Sequence, residues 1–202
     1  LELFDKKTLV NILLVEGKAI SYGKIFTDKE AQHYLDKLLM NIEWRHDEVT
    51  IFGKKIITKR KVAWYGKNNI EYTYSHLTRR AFPWTKELRE LKLMADKFCK
   101  SNFNSCLLNL YNNGEEGMGW HSDDEKSIEK NSPIASFSFG AERKFLFKHI
   151  QTKQTLSLLL ENGSFLEMKG PIQQYWQHSL PKAKKILTPR INLTFRMMLE
   201  KQ

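Results

Sequence analysis

The chain has 202 residues, 41% apolar and 28% charged, a size and balance that suit one folded domain and exclude a disordered segment. Its 33 basic and 23 acidic side chains give a net charge of +10, with the excess mostly in residues 1–100. Two cysteines, Cys99 and Cys106, exclude a disulfide framework and a four-thiolate zinc site and suit a reducing compartment, and no apolar run reaches the length of a membrane span.

In chain order, Leu9–Val15 follows Lys6 and Lys7 but contains Asn11, runs into Glu16 and lacks a small-residue cleavage site. It reads as a strand or lead-in rather than a signal peptide. The chain begins on Leu1 rather than a methionine, as expected of a fragment. Thr27-Asp-Lys-Glu30 has the form of a capping box, and Ala31, Tyr34, Leu35, Leu38 and Leu39 then recur on one helical face, which predicts a helix over about 28–41. Residues 51–70 hold six basic side chains and no acidic one, interleaved with Phe52, Trp64 and Tyr65. That mixture fits a phosphate backbone with stacked bases, and equally a solvated lysine-rich face. Thr85 opens a second helix, with Leu88, Leu91, Met94, Ala95 and Phe98 on one stripe.

From residue 105 the pattern changes to short strands. Asn109 and Tyr111 share one face of the first, with Leu108 and Leu110 on the other. Ser136–Phe139 alternates and stops at Gly140, and Lys144–Lys148 follows. Thr155–Leu160 and Ser164–Met168 flank Asn162-Gly163, which predicts a hairpin. Tyr175–His178 and Arg190–Met198 complete the set. Two helices ahead of many short strands predict an α+β domain built on a β-sandwich or barrel.

His121-Ser-Asp123 places an imidazole and a carboxylate on one side of an extended backbone, and His178 lies on a strand 55 residues beyond Asp123. Two histidines and a carboxylate form the facial triad of non-haem Fe(II) oxygenases, although His-x-Asp with a distant His also arises by chance. On the C-terminal strand Arg190, Asn192, Thr194 and Arg196 face one way, while Ile191, Leu193 and Phe195 face the other. An interior row with two guanidiniums calls for an anion, and a dicarboxylic acid such as 2-oxoglutarate meets that need through a bidentate fork.

These segments together resemble a known family. Tyr111–Gly114, His121–Glu125, Ile134–Gly140, Trp176–Pro181 and Arg190–Arg196 are similar to the AlkB family of Fe(II)/2-oxoglutarate-dependent alkylation-repair dioxygenases. Upstream, Val49–Lys54, Arg60–Gly66 and Tyr72–Ser75 resemble its duplex-DNA demethylase type rather than the shorter bacterial type. The likeness covers about residues 20–200.

The resemblance implies a double-stranded β-helix (jelly-roll) core. The chain is then one dioxygenase domain, with N-terminal helices and a nucleotide-recognition lid over about 1–104 and the catalytic core over about 105–202. It implies Fe(II) on His121, Asp123 and His178. It implies 2-oxoglutarate on Asn109, Tyr111, Arg190, Thr194 and Arg196, with Asn192 a further contact, and O2 as the second cosubstrate. Val49–Lys54 becomes a finger entering the duplex, with Phe52 the wedge on Gly53 and Lys54 beside it. Tyr72, Thr73 and Tyr74 wall the lesion pocket. Asp124 and Glu125 favour a cationic methylated base over its neutral parent. The activity implied is oxidative demethylation of bases such as N1-methyladenine and N3-methylcytosine in DNA, duplex favoured and single strands possible, with release of formaldehyde and succinate after base flipping. A monomer is expected, intracellular, in the nucleus of a eukaryote or the cytoplasm of a bacterium, with no membrane partner.

Some positions depart from the family pattern. Ser122 stands where relatives often carry a longer polar residue, Trp120 where an acidic one is common, and Ser75-His76 replaces a Ser-Gly step. His76 is expected to face solvent and His149 to be structural. Three other readings fit part of the pattern: an RNA demethylase or protein hydroxylase of the same fold, a non-catalytic nucleic-acid-binding module, and a zinc hydrolase, which leaves the arginine row without a purpose.

Overall fold

The computed structural model describes residues 9–13, 15–51, 54–67, 71–74 and 77–199, with 47–51, 54–56, 71–74 and 77–80 described as backbone only. The elements run β1 (Val10–Asn11), β2 (Lys18–Lys24), α1 (Asp28–Asn41), β3 (Arg45–Ile51), β4 (Lys54–Gly66), β5 (Glu71–Tyr74), β6 (Leu77–Arg80), β7 (Phe82–Pro83) and α2 (Lys86–Cys99). They continue with β8 (Ser105–Tyr111), β9 (Met118–His121), β10 (Ile134–Gly140), β11 (Arg143–His149), β12 (Thr155–Leu160), β13 (Ser164–Lys169), α3 (Ile172–Tyr175), β14 (Trp176–Leu180) and β15 (Arg190–Arg196).

Both long helices start where local chemistry starts them. The Thr27 hydroxyl accepts from the Glu30 N–H while the Glu30 carboxylate accepts from the Thr27 N–H, so α1 begins on a complete capping box. The Thr85 hydroxyl accepts from the Leu88 N–H at the head of α2.

Two sheets face each other. The larger, nine-stranded among the described residues, runs β1-β2-β13-β10-β15-β8-β4-β3 with β7 beside β4; the smaller runs β12-β11-β14-β9. From β8 to β15 the chain crosses repeatedly between them, so β8, β10, β13 and β15 lie in one sheet and β9, β11, β12 and β14 in the other. This is the jelly-roll core. Strands of the N-terminal half extend the same sheet: β2 pairs with β13 and β4 with β8. The β5–β6 pair is a separate two-stranded ladder.

The predicted Asn162-Gly163 hairpin is corrected. β12 pairs with β11, whereas β13 pairs with β10 and β2, so the dipeptide carries the chain from one sheet to the other. Gly163 does take positive φ, at +75°. The turn is held from outside: Asn162 Oδ1 accepts from the Gly140 N–H, and the Gly163 N–H donates to the Ser138 carbonyl. Asn-Gly encodes a sharp reversal; it does not encode which strands pair.

The period-two pattern decides what each sheet face meets. Ile191, Leu193 and Phe195 of β15 pack with Phe137 and Phe139 of β10 beneath Leu35 and Leu38 of α1 and Leu88 and Leu91 of α2. The opposite face of the same strands looks into the space between the sheets. One end of that space is filled by Phe147, Leu160, Leu166, Met168 and Trp176. The other end is open.

Candidate active site

The open end is a cavity of about 570 Å³ lined from both sheets. His121 ends β9 and His178 lies in β14, directly paired with it across the smaller sheet, with ring centroids 4.2 Å apart. Asp123 lies two residues past the end of β9, in the following loop. One ligand atom from each of His121, Asp123 and His178 falls within 4.8 Å of the others.

The donor set fits a divalent ion. The His121 Nδ1 lies 2.8 Å from the Gly119 carbonyl, which only accepts, so Nδ1 donates there and Nε2 is the nitrogen left for a metal. Burial disfavours the imidazolium of His178 and pulls its pKa down to about 3, against the pull of Asp123, so the ring is neutral at physiological pH. Burial alone would push the Asp123 carboxyl up. The Arg196 charge, with the two histidines behind it, outweighs this and brings it down to about 2. Two imidazoles and an ionised carboxylate converging in one cavity are ligands for Fe(II).

The remaining predicted residues of the two strands converge there as well. Asn109, Tyr111, Arg190, Asn192, Thr194 and Arg196 all line the cavity. Arg190 is 2% exposed and donates through Nη2 to the Ser138 hydroxyl, with its guanidinium 5.6 Å from the centre of the Tyr111 ring. Burial lowers its pKa to about 10, which leaves it charged at neutral pH. Its Nε is buried with no hydrogen-bond partner among the described residues, the mark of a donor arranged for an anion. Asn192 donates to the Ser136 hydroxyl and the Phe137 carbonyl. A buried cation beside a phenol and a hydroxyl fits one end of a small diacid.

Asp124 and Glu125 also line the cavity. Phe52 and Gly53 lie outside the described residues, as do the side chains of Lys54, Tyr72, Thr73 and Tyr74; for the backbone, Ile51 pairs with Lys54, and Tyr72–Tyr74 belong to β5. The Ser122 hydroxyl donates to the Trp176 carbonyl at 3.1 Å, so it ties its loop to β14. Lys148 places its ammonium 4.2 Å from the centre of the Trp120 ring on the outer side of the smaller sheet. His149 is structural: Thr152 N–H donates to its Nδ1, and its Nε2 meets Glu16 at 2.5 Å.

Three residues near the site carried no role in the sequence reading. Arg60 lines the cavity and donates from Nε to Asn109 Oδ1 at 3.1 Å. In the sequence it is one of six cations in a basic stretch and opens the Arg60–Gly66 segment of the family resemblance, without a role of its own. Arg143 is 1% exposed and donates through Nη2 to the carbonyls of Glu116 and Pro181, joining the loop after β8 to the loop after β14. Gln173 accepts from the Asp123 N–H at 2.9 Å. No local pattern marks either Arg143 or Gln173, because their partners are distant in the chain.

A jelly roll with two imidazoles, a carboxylate and buried arginines at one open end defines a metal-dependent oxygenase. The model of the 2OG-Fe(II) oxygenase superfamily matches residues 18–196, and the chain belongs to that superfamily, within its AlkB family. It is therefore an Fe(II) dioxygenase with 2-oxoglutarate and O2 as cosubstrates. It is 37% identical over 195 residues to DNA oxidative demethylase ALKBH2 of Homo sapiens, covering 91% of this chain and 75% of that one. It is 36% identical over 178 residues to alpha-ketoglutarate-dependent dioxygenase alkB homolog 3 of Homo sapiens, covering 83% of this chain and 62% of that one. The solved structure of OsALKBH1 superposes with a TM-score of 0.59 at 17% identity, over 92% of this chain and 98% of that one, a likeness of fold. Among the described residues no helix is long and apolar enough to cross a membrane.

Proposed function

We propose that this enzyme oxidatively demethylates N-alkylated bases such as N1-methyladenine and N3-methylcytosine in DNA, duplex in preference to single-stranded, after flipping the base into the cavity. The carrying observation is that one cavity is lined at once by His121, Asp123 and His178, by Arg190 and Arg196, and by Asp124 and Glu125. Similarity to relatives named as DNA oxidative demethylases supports the substrate class.

In this reading His121, Asp123 and His178 hold Fe(II). Arg190, with Tyr111 and Asn109, receives the distal carboxylate of 2-oxoglutarate, while Arg196, Thr194 and Asn192 line the metal-side end. When bound, the iron with 2-oxoglutarate and O2 supplies the oxidising power that hydroxylates an N-methyl carbon while the cosubstrate becomes succinate and CO2. The resulting hemiaminal breaks its C–N bond, releasing formaldehyde and the parent base. The protein supplies placement: the sheets orient the ligands, the arginines fix the cosubstrate, and the cavity walls displace water from the methyl group.

Asp124 and Glu125 favour the cationic methylated base electrostatically. Phe52 acts as the wedge, Lys54 contacts phosphate, and Tyr72, Thr73 and Tyr74 wall the base, all on the strength of the family resemblance. The whole chain acts as one domain, as a monomer inside the cell. The test is formaldehyde and succinate release from matched single- and double-stranded oligonucleotides carrying N1-methyladenine, with and without Fe(II) and 2-oxoglutarate. Turnover only on RNA moves the substrate class. Retained turnover in His121→Ala or Asp123→Ala removes the metal assignment.

A further inference from the structure

We propose that Gln173 is a positioning residue for Asp123: its side-chain oxygen fixes the backbone from which that carboxylate reaches the metal. The inference rests on the metal reading of the site and adds a residue outside the triad.

Asp123 needs such support. β9 ends at His121, so the sheet ladder does not hold the backbone of Asp123. Its N–H donates instead to Gln173 Oε1 at 2.9 Å. Gln173 sits in α3, whose last residue, Tyr175, directly precedes the strand that carries His178. One amide therefore joins the loop bearing one ligand to the segment bearing another. Ser122 adds a second tie to the same segment through the Trp176 carbonyl.

The platform under Gln173 is seated. Ile172 is buried, and Gly17 presses so closely on it that a Cβ at Gly17 would stand 2.7 Å from the Ile172 Cα. Trp176 donates from its indole N–H to the Val15 carbonyl at 3.1 Å. The other end of the Gln173 amide, Nε2, is buried without a hydrogen-bond partner among the described residues. Leaving a buried donor unsatisfied opposes stability. The arrangement makes sense if the oxygen at the opposite end serves the site, because a ligand's placement depends on the groups that hold it.

Co(II) serves as the probe, followed by its visible d–d absorption and by calorimetry on the metal-free chain, beside the metal-free melting temperature. Gln173→Met keeps the length and removes the acceptor. We expect Co(II) affinity to fall by about 10- to 100-fold with an altered spectrum. Gln173→Glu, which keeps an acceptor oxygen, is expected to return both toward wild type. If Gln173→Met fails to fold, Gln173→Asn carries the same test by withdrawing the oxygen by one methylene. Wild-type affinity and spectrum in the acceptor-less variant, or a lowered melting temperature with unchanged affinity, would overturn the proposal. Co(II) binding that is absent in wild type, or that survives His121→Ala, overturns the metal reading itself and the proposal with it; loss confined to the Gln173 variants does neither.

Discussion

The guanidinium of Arg196 donates to the carboxylate of Asp123 at 2.7 Å, and both side chains are buried. One residue comes from the last strand and the other from a loop in the middle of the chain. Their contact links the arginine row to the metal ligands, so perturbing either end disturbs both.

Arg196→Met leaves the Asp123 carboxylate buried without its main positive neighbour. Removing one partner of a buried pair costs about 3–5 kcal/mol. We expect a loss of that order in the urea-unfolding free energy of the metal-free protein. Saturating Co(II) is expected to return part of it, because the metal supplies a replacement positive charge. Equal losses with and without metal would contradict the shared electrostatic role.

The two shifted ligands predict an acid-side stability loss. His178 stays neutral in the fold down to about pH 3, while an unfolded histidine takes up a proton near pH 6.5. Between these values the unfolded state binds more protons, so stability falls as pH falls, by up to about 1.4 kcal/mol per pH unit. Asp123, lowered from 3.8 to about 2, adds a loss with the same sign as pH falls from 3.8 to about 2. Urea midpoints of the metal-free protein measured from pH 7 to pH 4 should decline, and His178→Gln should flatten the decline. A flat wild-type profile would remove this account.

Adjacent residues of β15 should behave differently because the strand divides its faces. Leu193 is fully buried under the helices, so Leu193→Ala should cost about 2–5 kcal/mol of stability. Asn192 faces the cavity, so Asn192→Ala should cost less, about 1–2 kcal/mol through its lost hydrogen bonds to Ser136 and Phe137, and raise the KM for 2-oxoglutarate. Chemical denaturation and succinate release measure the two; a KM unchanged in Asn192→Ala would take that residue out of the cosubstrate site.

The wedge role given to Phe52 predicts a strand-selective defect. Phe52→Ala should reduce demethylation of duplex oligonucleotide by more than tenfold while sparing the single-stranded form, where little stacking has to be replaced, an effect of about 1.4 kcal/mol or more. Parallel kinetics on the two substrates decide this, and equal losses would end the wedge reading.

Much of the molecule was legible locally. The box at Thr27–Glu30 and the cap at Thr85 place both long helices, because capping is satisfied within four residues. Strict alternation along Arg190–Arg196 separates a core face from a polar face, because side chains alternate across any strand. His121, Asp123 and His178 stand out through donor chemistry, and the order of several motifs points to the family. Pairing was not legible. Asn162-Gly163 signals a reversal without naming the partners on either side, and a crossover between sheets satisfies it as well as a hairpin does.

The sequence by itself determined both long helices, most strands from β8 onward, the face β15 turns to the core and the chemical set available at the site. Only the tertiary structure decided that β9 lies beside β14, that Arg196 grips Asp123, and that Gln173 and Arg143 tie loops around the cavity. Turns, caps and alternation arise from neighbours along the backbone, whereas contacts between residues dozens of positions apart exist only after packing has selected one arrangement of the sheets.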